Sequence, residues 1–159
     1  MAVILQNSTS AILTKISDEL SGLPNQYIDF YKKTNGIIFT DSDEFSFYLT
    51  EIDDEISLEA LFQIDAKNVN FDLLAMQREI GDDLPNVFWI IGGDAGGNFY
   101  LLHRHTQQIW YWDRTCLYGC DRLTEREIGQ YYAMKMSFYE LLTLIFQQIE
   151  KCKIIIKNK

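Results

Sequence analysis

The side chains best suited to chemistry lie between residues 87 and 120. His103 and His105 fall two apart in a β-rich run, so both imidazoles share one side if the strand continues, and Cys116 with Cys120 would complete a four-ligand zinc set. Neither pair has the usual shape of a zinc motif, and His105 falls in a turn, so hydrogen-bonded or exposed histidines are the simpler reading. A cysteine–histidine nucleophile needs a thiol activated by its surroundings, and nothing local supports one. Asp41-Ser42-Asp43 begins like a calcium loop but places Ser46 where the sharp turn needs glycine. The stretch Gly92, Gly93, Asp94, Ala95, Gly96, Gly97 invites a phosphate-binding reading. That reading needs a helix after the loop, its amino end facing the anion. Here the residues after Gly97 alternate like a strand, and Asp94 puts negative charge where phosphate would sit. Gly92, Gly93, Asp94, Gly96 and Gly97 therefore read as a structural loop with at least one positive φ. No catalytic set, metal or cofactor is expected.

The elements that must hold this region follow from periodicity. Phe88 to Ile91 is a continuous apolar run, as in a strand buried on both faces. Asn98 to His103 and Gln108 to Asp113 are two more β-rich runs, joined by Arg104, His105, Thr106 and Gln107. Together they predict a meander with one face to be covered. The clearest helix opens at Ser137 with Glu140 as a capping box, and Phe138, Leu141, Leu142, Ile145, Phe146 and Ile149 form its apolar face. It should pack on the meander, and Phe88, Ile90, Leu101 and Leu141 should be buried. Thr124 and Glu127 offer a second capping box.

Earlier in the chain, Ser8 or Ser10 can cap a helix carrying Ile12, Ile16 and Leu20 on one stripe, ended by Gly22. Pro24 can open a second, with Tyr27, Phe30, Tyr31 and Thr34 at helical steps and Asn35-Gly36 as a left-handed stop. Ile37 to Thr40 and Phe45 to Thr50 read as a hairpin, with Phe45, Phe47 and Leu49 on one face. Ser57 with Glu59, Ala60, Leu61 and Phe62 suggests a short helix. Asn70 can cap another through Leu73, Leu74, Gln77 and Ile80 to Gly81.

Bulk properties bound the partners. The 159 residues are 47% hydrophobic and 14% aromatic, ample for one core. No apolar run approaches the ~18 residues of a membrane helix, and the amino end lacks the basic segment of a signal peptide, so a cytoplasmic address is expected. The three cysteines are odd in number and without framework spacing, which suits reduced thiols. The net charge is −9, but residues 41–83 hold thirteen acids against Lys67 and Arg78, a local net of −11, so the remainder sums to +2. Such a chain is not expected to bind free nucleic acid, which draws on clustered Lys and Arg. A basic protein is electrostatically better suited, the alternative being an acidic surface that only confers solubility. Asp53, Asp54 and Glu55 are the candidate docking carboxylates. Trp110 and Trp112 alternate with Ile109 and Tyr111. One set is core, and the other is a candidate aromatic anchor if part of it stays exposed.

Three stretches in succession resemble the SUKH superfamily, which includes fungal cell-wall-synthesis regulators and many bacterial immunity proteins. They are Leu23-Pro24, Tyr27, Phe30-Tyr31 and Asn35-Gly36; then Ile91 to Asn98 with Tyr100-Leu101-Leu102; then Tyr111-Trp112-Asp113 with Ser137-Phe138-Tyr139-Glu140-Leu141-Leu142. The resemblance covers about residues 10–150. It implies an α+β fold, a curved, mostly antiparallel sheet flanked by helices; the length suits a single domain over 1–159, and Lys151, Lys153, Lys157 and Lys159 give it a short basic tail at 151–159. It also implies a non-enzymatic role, bacterial members typically neutralising a toxin by binding it. The expected partner is thus a basic toxin domain, possibly a nuclease, and the alternative is an intracellular regulatory scaffold without a toxin partner. Between Cys116 and Met136 the sequence departs from the compact family pattern, as if an extra helical segment were inserted.

Overall fold

Strand β1 (Ala2–Asn7) leads into helices α1 (Ser10–Glu19) and α2 (Asn25–Lys33) and strand β2 (Thr34–Phe39). A hairpin, β3 (Ser46–Leu49) and β4 (Asp54–Ser57), precedes a two-residue strand, β5 (Ala60–Leu61), and helix α3 (Leu73–Ile80). The meander β6 (Phe88–Gly93), β7 (Phe99–His103) and β8 (Gln108–Asp113) follows, then β9 (Gln130–Ser137), α4 (Phe138–Ile149) and β10 (Lys153–Lys157). This computed structural model describes residues 2–40, 45–114, 130–150 and 153–157. Eight strands form one sheet in the order β10-β1-β2-β5-β6-β7-β8-β9, with β3 and β4 as a separate ribbon. Among the described residues, β1 and β10 of this sheet run parallel and its other neighbours antiparallel, giving an α+β architecture.

Strand register sorts the core onto two faces. Trp89 lies opposite Leu102, which lies opposite Ile109, and Tyr100 lies opposite Tyr111, so these five share a face. Helices α2 and α4 cover part of it: the Trp89 indole N–H donates to the Tyr27 hydroxyl at 3.2 Å, and Phe138 meets Tyr27 and Phe30 edge-on. The β3–β4 ribbon covers the rest, with the Tyr100 hydroxyl donating to the Ser57 carbonyl at 2.7 Å and Phe45 stacked on Phe39. Phe88, Ile90, Phe99, Leu101, Trp110 and Trp112 face the other way, toward α3, where the Gln77 side-chain carbonyl accepts from the Ile90 N–H at 3.2 Å. Burial raises the Tyr27 and Tyr31 hydroxyls well above the usual phenol range.

Much of the local reading holds. Ile12, Ile16 and Leu20 are buried, as are Phe88, Ile90, Leu101 and Leu141, and α4 packs on β8, β9 and α2. The capping box of α4 is complete: Ser137 Oγ accepts from the Glu140 N–H, and Glu140 Oε2 accepts from the Ser137 N–H at 2.7 Å. The backbone bond from Ser137 holds the Glu140 carboxyl below its ordinary value, with the hydroxyl bond adding to it.

Several expectations are corrected. The residue capping α1 is Thr9, whose Oγ1 accepts from the Ile12 N–H, while the Ser8 hydroxyl donates to the Tyr31 carbonyl. Asp72, not Asn70, caps α3, its Oδ1 accepting from the Ala75 N–H at 2.8 Å; Asn70 lies in the preceding turn. Asn35-Gly36 does not stop a helix from outside. Both residues lie within β2, where Gly36 has φ 73° and an added Cβ would stand 2.5 Å from the Phe62 carbonyl oxygen. β2 and β3 do not form a hairpin, because β2 is flanked by β1 and β5 while β3 pairs with β4. The segment around Ala60 and Leu61 is a strand rather than a helix. Glu59 and Phe62 donate to the Gly93 and Ile91 carbonyls, and long-range pairing outweighs the helical pattern. Residues 130–136 form strand; the rest of the stretch expected to hold an inserted helix, 116–129 with Thr124 and Glu127, lies outside the described residues. The basic carboxyl end contributes β10, which lies beside β1.

Candidate functional site

The glycine loop joins β6 to β7 and is tied down by its one acid. Gly92 and Gly93 belong to β6, and Gly97, at φ 85°, supplies the left-handed residue of the turn. Asp94 Oδ1 accepts from the Asn98 N–H at 2.9 Å, and Oδ2 accepts from the Asn98 amide at 3.1 Å and the Tyr111 hydroxyl at 2.7 Å. Burial, followed by the bond to Asp94, pushes the Tyr111 hydroxyl far above its ordinary value. Asn98 in turn accepts the Arg114 N–H at 2.8 Å, fixing the end of β8 against the loop. The Arg114 guanidinium lies 5.0 Å from the Trp112 ring and 5.4 Å from the Phe99 ring. Asp94 is thus a structural tie between strands.

His103 and His105 sit with ring centroids 6.0 Å apart, and His103 Nδ1 accepts from the Thr106 N–H at 3.2 Å. Cys116 and Cys120 lie outside the described residues. Among the described residues, no three metal-ligating side chains cluster.

The two tryptophans do not stay equivalent. Trp112 is wholly buried between Phe99 and Tyr131, so it has no surface to offer a partner in this state. Trp110 is half-buried against Phe88. The opposite set, Ile109 and Tyr111, is buried too, because this sheet is covered on both faces.

The acidic block is divided by the fold rather than gathered on one face. Asp65 pairs with Lys15, and Asp72 is consumed as a helix cap. Glu51 binds Lys135 of β9 at 2.7 Å, which holds its carboxyl below the ordinary range. Asp53, Asp54 and Glu55 stand exposed where the β3–β4 hairpin turns, Asp53 itself at φ 55°. Tyr48 donates its hydroxyl to Asp53, Asp54 accepts from the Glu55 N–H at 2.8 Å, and no cation among the described residues pairs with any of the three.

A second acidic place escaped the sequence reading. A groove of about 490 Å³ runs between α3 and the glycine loop, lined by Glu59, Phe62, Met76, Glu79, Asp94 and Phe99 among others, with Arg114 at its side. Glu59 is half-buried, and burial, then the charge of Asp94, pushes its carboxyl up. The signal for it was there: a lone acid between Leu58 and the apolar Ala60-Leu61-Phe62 run.

A model of the SMI1 / KNR4 family (SUKH-1) matches residues 8–143. The chain belongs to that family. The matched span runs from the residue before the α1 cap to the second turn of α4, and so takes in the glycine loop, the hairpin and the groove. No curated protein and no solved structure matches the chain. No helix among the described residues is long and apolar enough to cross a membrane.

Proposed function

We propose that this SUKH-1 chain is a non-enzymatic protein-binding domain that neutralises a basic toxin domain in the cytoplasm by docking on it through Asp53, Asp54 and Glu55. The observation that carries the reading is the hairpin end, where three successive carboxylates stand in water without a cationic partner. Carboxylates left solvated avoid the cost of burying an unpaired charge, and they accelerate encounter with a cationic surface. The ribbon that presents them is held before any partner arrives. Phe45, Leu49 and Ile56 are buried beneath it, and the Glu51–Lys135 pair ties it to β9. A surface already ordered loses little entropy on binding. Trp110, half-exposed on the opposite face, is the secondary contact candidate.

The experiment is protection in cells. The protein is co-expressed with the toxin domain encoded beside its gene, as wild type and as the triple variant Asp53→Lys, Asp54→Lys, Glu55→Lys. Wild type restores growth and the variant, folded to the same level, does not. Equal protection by both would remove the hairpin as the docking site. Failure to neutralise any adjacent toxin candidate would remove the toxin reading in favour of a regulatory scaffold.

A further inference from the structure

We propose that the groove between α3 and the glycine loop receives a lysine or arginine side chain of a protein partner, with Glu59 as the carboxylate that meets its head group. This rests on the protein-binding reading above but uses a surface distinct from the hairpin end. The groove's volume of about 490 Å³ lies in the range of ligand-binding clefts. Its floor is apolar, built from Phe62, Met76 and Phe99, and its charged rim is Glu59, Glu79 and Asp94 against Arg114. The Arg114 guanidinium is laid over the Trp112 and Phe99 rings, 5.0 and 5.4 Å from their centres. Asp94 already accepts from Asn98 and Tyr111, so it contributes field rather than a free acceptor. Glu59 differs: no hydrogen bond or ion pair reaches its carboxylate among the described residues, yet it is half-buried.

A half-buried carboxylate without a partner is a cost that a bound cation removes. The shape selects which cation. A small inorganic ion would leave the aromatic floor unused, whereas Lys and Arg lay an aliphatic stem on apolar surface and keep a charged head at its edge. Charge complementarity therefore favours an extended cationic side chain over an anionic or neutral one.

The test is a titration of the whole protein with N-acetyl-arginine amide, followed through backbone amide resonances, with N-acetyl-citrulline amide as the uncharged counterpart. Saturable shifts are expected at Phe62, Gly93, Ala95 and Gly97 with the arginine probe alone. Glu59→Gln should weaken binding about tenfold, the loss of one charge-assisted bond. The triple lysine variant of the hairpin should bind the probe as wild type does. Equal binding of the citrulline probe, or shifts scattered over exposed carboxylates or centred on Asp53 to Glu55, would overturn the proposal. Should Glu59→Gln fail to fold, Glu79→Gln on exposed α3 must weaken the probe in its place; unchanged affinity there would equally overturn it. A toxin that binds a protein blind to the probe would sink the groove and leave the docking role standing. Probe binding without any toxin partner would do the reverse.

Discussion

Removing the Asn35 side chain tests the junction between β2 and the segment that follows β5. Asn35 is fully buried in β2, its amide donating to the Ile64 carbonyl at 2.8 Å and its carbonyl accepting from the Ile64 N–H at 2.9 Å. Ile64 is itself fully buried, so water cannot replace either bond in the Asn35→Ala variant. An unsatisfied buried donor or acceptor costs about 1–3 kcal/mol, and two of them set the expected loss at about 2–6 kcal/mol. The assay is urea denaturation followed by tryptophan fluorescence, reading the midpoint at unchanged slope. Asn35→Gly separates this account from a helix-stop role. A left-handed stop would accept glycine at little cost, whereas loss of both Ile64 bonds predicts a destabilisation at least as large as that of alanine. Either variant within ±0.5 kcal/mol of wild type would refute the reasoning.

Further outcomes follow from packing and charge. Leu141→Ala, at a fully buried position on α4, should cost about 2–5 kcal/mol in the same assay. Ser137→Ala should cost about 1 kcal/mol by breaking the capping box. Because the folded Glu140 carboxyl is lowered, the box's contribution is present above the unfolded carboxyl value and is lost as pH falls through the folded one. Glu59 has the opposite sign. Its folded carboxyl is raised by burial and by Asp94, so stability declines as pH rises from the ordinary carboxyl range through the folded value. Glu59→Gln should therefore match wild type in melting temperature at about pH 4 and exceed it at about pH 7; a lower melting temperature at neutral pH would contradict that sign.

Legibility in the sequence tracked how local each element's cause is. The meander and α4 could be read because their strands are consecutive, their turn residues are adjacent, and Ser137 and Glu140 satisfy each other's backbone within one turn. β5 could not. Two residues carry no period, and Ala60 and Leu61 are strand only because β2 and β6 lie on either side of them. The same distance effect hid β10, whose neighbour β1 lies at the other end of the chain. Asn35-Gly36 has the glycine conformation its sequence suggests but lies in a strand and not at a helix end, since its partner segment, Leu61 to Ile64, comes about 25 residues later. Of the candidate site, the hairpin carboxylates were legible as a run of exposed charge. The groove was not, because Glu59, Glu79 and Asp94 converge only when α3 packs beside the glycine loop.

If the end of the β3–β4 hairpin is the docking surface for a basic protein, encounter with that partner must depend on Asp53, Asp54 and Glu55. The decisive measurement is the association rate constant of the purified protein with a basic toxin-domain candidate, followed by stopped flow across ionic strength. Docking through this end gives a fast rate at low salt that falls steeply as salt rises, and a triple variant, Asp53→Lys, Asp54→Lys, Glu55→Lys, that is slower by about tenfold or more with a flattened salt dependence. An unchanged rate in the triple variant, with the wild-type salt dependence intact, would contradict it.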